Sequence, residues 1–138
     1  MQPKNILIID GQGGLMGSAL IKAIRSQYPT AQILAVGTNA TAAAALKKAG
    51  ADQAAAGENP VIVACRRADI IIGPVGIVIA DSLLGEVTAA MAAAVGRADA
   101  TRILIPVNKC ENLVAGIKDL STAALLEDVL EKLKPLME

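Results

Sequence analysis

The stretch that decides the fold is Lys4-Asn-Ile-Leu-Ile-Ile-Asp-Gly-Gln-Gly-Gly-Leu-Met-Gly17. Residues 6–9 form a continuous apolar run, which is typical of a parallel strand covered on both faces. Asp10 ends that run and a glycine-rich turn follows it. The next residues, 16–25, have the apolar periodicity of an amphipathic helix. A strand, a glycine-rich turn and a helix in this order predict the first half of a nucleotide-binding βαβ unit.

The rest of the chain continues this alternation of strands and helices. Strands are predicted at residues 6–9, 32–36, 53–56, 69–72 and 102–106, with a sixth, edge strand around residues 113–117. Further helices are predicted at residues 41–49, 61–67, 77–84, 88–96 and 121–133, with a strand as the open alternative at 61–67. The chain is therefore predicted to be α/β. We expect one Rossmann-like, doubly wound domain over residues 1–138, with a mainly parallel sheet of five or six strands and helices on both faces.

Several helix boundaries have recognisable end signals. Thr88 and Ser121 are suitable N-caps, because their hydroxyls can accept a hydrogen bond from the first turn. Asn59 is predicted to cap the third helix, with Pro60 at its first position. Gly50 is predicted to end the second helix.

The composition excludes several classes of protein. The formal net charge is zero, and the chain has one Tyr but no Phe or Trp. It therefore lacks the basic surface and the stacking side chains that nucleic-acid binding requires, and we expect no nucleic-acid or membrane partner. Hydrophobic residues make up 54% of the chain, which is above the usual range and predicts a homo-oligomer with a buried interface.

The cysteine and histidine content limits where the protein is expected to be located and which reactions it could catalyse. Two cysteines form no disulfide framework, and neither a signal peptide nor a membrane span is visible, so a cytoplasmic location is predicted. Histidine is absent, which removes histidine acid–base catalysis and most zinc sites. We accordingly predict no metal site.

Glycines, amides and a few charged side chains follow the predicted strands. In doubly wound sheets the ligand lies outside the carboxyl ends of the strands, so these residues are expected to share one edge. Short turns also need Gly, Asn and Pro, but that need explains poorly four glycines within seven residues. The predicted ligand-binding residues are Gly11, Gln12, Gly13, Gly14, Gly17, Thr38, Asn39, Gly73, Pro74, Gly76 and Asn108.

The glycine turn departs from the dinucleotide fingerprint G-x-G-x-x-G, because Met16 stands at its third position. Gly11, Gly14 and Gly17 fit G-x-x-G-x-x-G instead. Either spacing lets backbone N–H groups approach a phosphate at a helix N-terminus. The second strand is followed by Thr38 and Asn39 rather than an acid, so NAD is disfavoured, whereas NADP or another nucleotide stays open.

Candidate catalytic groups are few. Asp10 could bind a ligand or Mg²⁺, although capping of the turn is the stronger interpretation. Glu58 could act as an acid or base, or only stabilise a helix N-terminus. Lys109 could pair with an anion, and Cys110 could be a nucleophile if its pKa is lowered. Glu86, beside Gly85, could reach the crevice.

Several motifs in fixed order resemble a known family. They are Asp10-Gly-Gln-Gly-Gly14, Gly37-Thr-Asn39, Ala49-Gly-Ala-Asp52, Gly57-Glu-Asn59, Asp69-Ile-Ile-Ile-Gly-Pro-Val-Gly-Ile77, Leu84-Gly-Glu86 and Ile105-Pro-Val-Asn-Lys-Cys110. Together they resemble the family of short bacterial proteins called domain of unknown function 3842. The resemblance implies a compact Rossmann-like protein and no particular reaction.

Three functions remain open from the sequence. The leading hypothesis is a stand-alone domain that binds a nucleotide or another phosphorylated small molecule, as a sensor or accessory subunit. The first alternative is a small oligomeric enzyme that uses NADP or a phosphorylated substrate. The second is a protein-interaction or assembly module with no bound ligand.

Overall fold

The computed structural model describes residues 3–107 and 111–138. Strands and helices alternate along most of this chain. In chain order the elements are β1 (Asn5–Asp10), α1 (Leu15–Gln27), β2 (Gln32–Gly37), α2 (Ala40–Ala49), β3 (Gln53–Ala56), α3 (Glu58–Cys65), β4 (Ile70–Pro74), a 3₁₀ helix (Val75–Val78), α4 (Ala89–Arg97), β5 (Thr101–Ile105) and α5 (Thr122–Met137).

The five strands form one parallel sheet in the order β3-β2-β1-β4-β5. β1 is the central strand and pairs with β2 on one side and β4 on the other. The direction of winding reverses between these two neighbours, which is where doubly wound sheets bind ligands. The prediction of a Rossmann-like α/β fold is confirmed, with five strands, all parallel.

Helices cover both faces of the sheet, as predicted. Ile6 and Ile8 of β1 point to one face, where they join a core with α1, α2 and α5. Leu7 and Ile9 point to the other face and pack with α3 and α4. Because all four side chains are buried, β1 has no polar face, and this explains its unbroken apolar sequence.

The predicted helix ends are mostly confirmed. The hydroxyls of Thr88 and Ser121 accept hydrogen bonds from the backbones of Met91 and Ala124, and so cap α4 and α5. Gly50 ends α2 with a φ of 123°, which a side chain would strain. Residues 61–67 belong mainly to helix α3, which excludes the strand alternative there.

Three local predictions are wrong. Residues 113–117 form no strand, and residues 111–121 are irregular and exposed instead. The helix predicted at 77–84 is a 3₁₀ helix followed by turns, because Asp81, Leu83 and Leu84 adopt positive φ values that end helical geometry. Helix α3 begins at Glu58 with Gly57 as its N-cap, so Asn59 lies inside the helix.

None of the helices in the described ranges is long and apolar enough to cross a membrane.

Candidate functional site

A cavity of about 320 Å³ lies at the carboxyl edge of the sheet, beside the glycine-rich turn. It is bounded by the end of β1, the start of α1 and the start of α5. Its lining residues are Asp10, Gly11, Gln12, Gly13, Gly14, Leu15, Met16, Val107 and Thr122. The structure therefore brings together four of the residues that the sequence predicted to bind a ligand, with the catalytic candidate Asp10 beside them.

The glycines of the turn differ in what they contribute to its structure. Gly14 has a φ of 73° and its N–H donates to the carbonyl of Gly11 over 2.9 Å, which closes the turn. Gly17 lies so close to α2 that an added Cβ would be 2.5 Å from Leu46 Cδ2. Gly13 differs from both, because an added Cβ there would meet nothing closer than 4.0 Å. Gly13 is thus not required by packing, and it borders the cavity.

The side chain of Asp10 links the two ends of the glycine-rich turn. Its Oδ1 accepts from the Gly11 N–H over 2.8 Å, and its Oδ2 accepts from the Gly17 N–H over 2.7 Å. The second bond supplies the cap that Gly14, which has no side chain, does not provide for α1. Burial raises the pKa of Asp10, and nearby Glu86 raises it further, while the two backbone bonds oppose them. The capping interpretation of Asp10 is the one that this geometry favours.

Two helix N-termini meet at the cavity. α1 begins at Leu15 and α5 begins at Thr122, and both residues line it. Among the described residues, the backbone N–H groups of Gly13, Leu15 and Met16 find no acceptor. The positive ends of both helix dipoles therefore face one small space that contains unused donors.

A second polar cluster lies on the β2 side of the turn, around Glu86. Glu86 Oε1 accepts from the backbone N–H of Gln12 over 2.8 Å, from Thr38 Oγ1 over 2.6 Å and from Asn39 Nδ2 over 2.8 Å. Although burial raises the pKa of Glu86, the bonds from Thr38, Gln12 and Asn39 outweigh it, and the pKa lies below its usual value. Glu86 is therefore charged at neutral pH.

The comparison with protein families decides where this chain belongs. The model of the family described as Domain of unknown function (DUF3842) matches residues 5–138. The chain is a DUF3842 protein. The match runs through every element from β1 to α5 and confirms the resemblance seen in the sequence.

No protein of curated function matches the DUF3842 chain. Among solved structures, the dodecameric FMN-dependent UbiX-like decarboxylase from Escherichia coli O157:H7 is similar, with 16% identity over 94% of each chain and a TM-score of 0.45.

Of the other predicted ligand-binding residues of the DUF3842 protein, those that the structure describes do not line the cavity. Thr38 and Asn39 bind Glu86, as described above. Gly73 and Pro74 belong to β4, and Gly76 is in the 3₁₀ helix, where its carbonyl accepts a hydrogen bond from Ser82. Gly73 and Gly76 therefore contribute to packing and turn geometry, and they do not line the cavity.

The catalytic candidates that lie within the described residues are not assembled into one constellation. Glu58 Oε1 accepts from Thr88 Oγ1 over 2.6 Å, which links the first turn of α3 to the cap of α4. Asp10 is engaged with backbone N–H groups. Asn108, Lys109 and Cys110 lie outside the described residues.

The sequence reasoning missed Leu15, Met16, Val107 and Thr122 as lining residues. The signal for Thr122 was available, because a helix that follows a parallel strand begins at the carboxyl edge of the sheet. The sequence pattern predicts Met16 as the first apolar residue of the helix and indicates no role for Leu15. Their contribution is backbone N–H, which does not depend on the side chain.

A larger cavity, of about 590 Å³, lies at the opposite, amino edge of the sheet. Arg25 crosses part of it and donates to the carbonyls of Gly50, Pro29 and Ala31, while pairing with Asp52 over 3.0 Å. These bonds link the two chain segments that lead into β2 and β3. We regard this arginine as a structural support, because its donors are used within the chain.

Proposed function

We propose that the DUF3842 protein binds a phosphorylated small molecule in the cavity between the starts of α1 and α5. The observation that carries this proposal is the convergence of two helix N-termini on unused backbone N–H groups at Gly13, Leu15 and Met16. Such groups bind phosphate without needing a positive side chain, which suits a chain of zero net charge.

The same geometry supports a particular position for the proposed anion. Asp10 already occupies the N–H groups of Gly11 and Gly17, and Glu86 occupies that of Gln12. A phosphate would therefore bind nearer to α5, on the N–H groups of Gly13, Leu15 and Met16. The cavity volume is at the small end of the range for ligand pockets, about 300–1,000 Å³, which favours a compact ligand.

Binding is favoured over catalysis by the state of the carboxylates. Asp10 and Glu58 both accept hydrogen bonds from the protein, so neither is held ready to exchange a proton with a ligand. We therefore prefer a sensor or accessory subunit to an enzyme.

A Gly13→Ala substitution tests the position of the ligand. The added methyl group meets no protein atom within 4 Å other than Leu15 Cγ at 4.0 Å, so the fold should be retained. The methyl group borders the cavity, and the affinity for a bound phosphate compound is expected to fall about tenfold or more. Binding is measured by thermal shift and calorimetry with ribose 5-phosphate, AMP, NAD and NADP. A ligand at a hundredfold excess over Kd should stabilise the wild type by about 2.7 kcal/mol.

Gly96→Ala is the matched control. Gly96 lies in α4, and an added Cβ there would also be in open space, but Gly96 does not line the cavity. This variant should bind as the wild type does. If no phosphorylated compound stabilises the wild type, or if Gly13→Ala binds as well as Gly96→Ala, the proposed site is wrong.

A homo-oligomer is proposed as a second property, because large apolar side chains are exposed at the carboxyl edge. The exposed fractions are 83% for Leu15, 95% for Leu84 and 96% for Leu113. Leu15 begins α1 and lines the cavity, while Leu84 and Leu113 lie in segments that connect a strand to the next helix and so start from the carboxyl edge of the sheet. Single exposed leucines are ordinary, but a group of them at one edge is typical of an interface.

Leu113→Asp tests this property by sedimentation velocity at micromolar concentration. We expect the wild type to sediment as an oligomer and the variant to shift towards monomer, because a charge would be buried at the interface. Val63→Asp is the control, since Val63 is also exposed but lies on α3. A monomeric wild type, or equal assembly of both variants, would contradict the proposal.

A further inference from the structure

We propose that Glu86 determines the class of ligand by filling the β2 side of the crevice, so that the protein accepts a compound with one phosphate group and rejects a dinucleotide or a second phosphate. This inference rests on the proposed function, and it deepens that function by naming the ligand class.

Glu86 occupies the donors that a longer ligand would need. The N–H of Gln12, the hydroxyl of Thr38 and the amide of Asn39 come from three separate segments and converge on Glu86 Oε1 over 2.6–2.8 Å. In doubly wound sheets, the end of the second strand is where a ribose or a 2′-phosphate binds. Here those donors are already bound to a carboxylate of the same chain.

The space next to Gly11 is too narrow for a ligand to extend from the cavity towards β2. A single carbon added at Gly11 would lie 2.5 Å from Thr38 Oγ1, 2.8 Å from Leu83 Cδ1 and 3.0 Å from Glu86 Oε1. A ligand held at Gly13 and Leu15 is therefore confined to the side of α5.

The loop that carries Glu86 is anchored on both sides of it. Leu83 and Val87 are buried in the core, and the N–H of Asp81 donates to the carbonyl of Val87 over 2.7 Å. The N–H of Val87 in turn donates to the carbonyl of Ser82 over 3.2 Å. These contacts fix the backbone on both sides of Glu86, and the three hydrogen bonds to Oε1 hold its side chain, so the carboxylate stays on the β2 side of the crevice.

Charge adds to the steric exclusion. Glu86 is ionised at neutral pH and so repels a second anionic group next to Gln12. The residues after the second strand include no acid, so the sequence alone left NADP open as a ligand. An acid, Glu86, nevertheless lies beside the end of β2, and it comes from the loop after β4. The position of Glu86 argues against NADP.

The test uses two ligands that differ by one phosphate group, AMP and adenosine 2′,5′-bisphosphate. Calorimetry on the wild type should give at least about tenfold tighter binding of AMP. Glu86→Gln keeps the shape and removes the charge, so this preference should shrink to about threefold or less. Glu58→Gln is the control, because Glu58 also accepts from a threonine hydroxyl but that hydroxyl belongs to Thr88, the cap of α4, and this variant should keep the wild-type preference.

A second measurement does not depend on finding an adenosine ligand. In Glu86→Ala the three donors are released, so a titration with inorganic phosphate followed by ¹⁵N–¹H NMR should shift the Gln12 amide further than in the wild type, where Glu86 occupies that N–H. Equal binding of the two nucleotides by the wild type, an unchanged preference in Glu86→Gln, or a silent Gln12 amide in Glu86→Ala would each overturn the inference.

The failure of the proposed function gives a different pattern. In that case neither nucleotide binds the wild type and Gly13→Ala has no effect, while the Gln12 response in Glu86→Ala still reports on the role of Glu86. If that response is also missing, both proposals are wrong.

Discussion

Gly73→Ala is expected to destabilise the protein by about 3 kcal/mol, among the largest effects of any single methyl group in this chain. Gly73 lies in β4, directly beside the central strand. An added Cβ would be 2.4 Å from the carbonyl oxygen of Ile9 and 2.9 Å from Ile77 Cδ1. The first neighbour is backbone in the middle of the sheet and cannot rotate away, so β1 and β4 would have to separate. Urea unfolding followed by circular dichroism measures the loss.

Gly96→Ala makes the same chemical change where nothing lies within 4 Å of the new methyl group. Because Gly96 is in helix α4, alanine there should raise stability by up to about 1 kcal/mol. If Gly73→Ala unfolds at the same urea concentration as Gly96→Ala, the close approach of β4 to β1 is wrong.

Asp10→Ala is expected to cost about 3 kcal/mol. The substitution removes two hydrogen bonds with a buried carboxylate and leaves the N–H groups of Gly11 and Gly17 without their acceptors. Asp52→Ala is the control, because Asp52 also accepts from a backbone N–H, that of Ile33 over 2.8 Å, but its side chain is 57% exposed. Water can replace the lost carboxylate there, so the expected loss is about 1 kcal/mol or less.

The pH dependence separates the two aspartates further. The pKa of Asp10 is raised in the folded state above its ordinary value of 3.8, chiefly by burial. Its stabilising contribution is therefore largest below that value and decreases as pH rises through the folded pKa. The pKa of Asp52 is lowered, chiefly by the bond from Ile33, so its contribution is present above 3.8 and is lost as pH falls.

Urea unfolding of both variants and the wild type between pH 3 and pH 7 checks these opposite slopes. The difference between the wild type and Asp10→Ala should shrink as pH rises, whereas the difference for Asp52→Ala should grow. Parallel curves for the two variants would mean that Asp10 is not buried beneath the turn.

Much of the fold could be predicted because its signals are local. The apolar run at residues 6–9 is buried on both faces, and the threonine and serine caps of α4 and α5 depend on side chains a few residues from the bonds they make. The sixth strand failed because residues 113–117 have an apolar pattern but pair with no strand of the sheet. Strand pairing is a long-range property, and the pattern of one segment does not determine it.

The candidate site was predictable only in outline. The topology of a parallel sheet brings the residues after each strand to one edge, and the glycine-rich turn lies there beside a cavity. The partners of Glu86 were not predictable, because Gln12, Thr38 and Asn39 lie 74, 48 and 47 residues away along the chain. Their convergence depends on three loops, two of which have positive φ values, one at Gln12 and the other at Leu83 and Leu84.

The central claim is that a phosphorylated small molecule binds where α1 and α5 begin. The most direct test is a ¹⁵N–¹H NMR titration of the wild-type protein with ribose 5-phosphate and with AMP. The account predicts saturable shifts of the amides of Gly13, Leu15, Met16 and Thr122, because these groups border the cavity. Shifts confined to the opposite edge of the sheet, around Arg25 and Arg67, or no saturable shift with either compound, would contradict it.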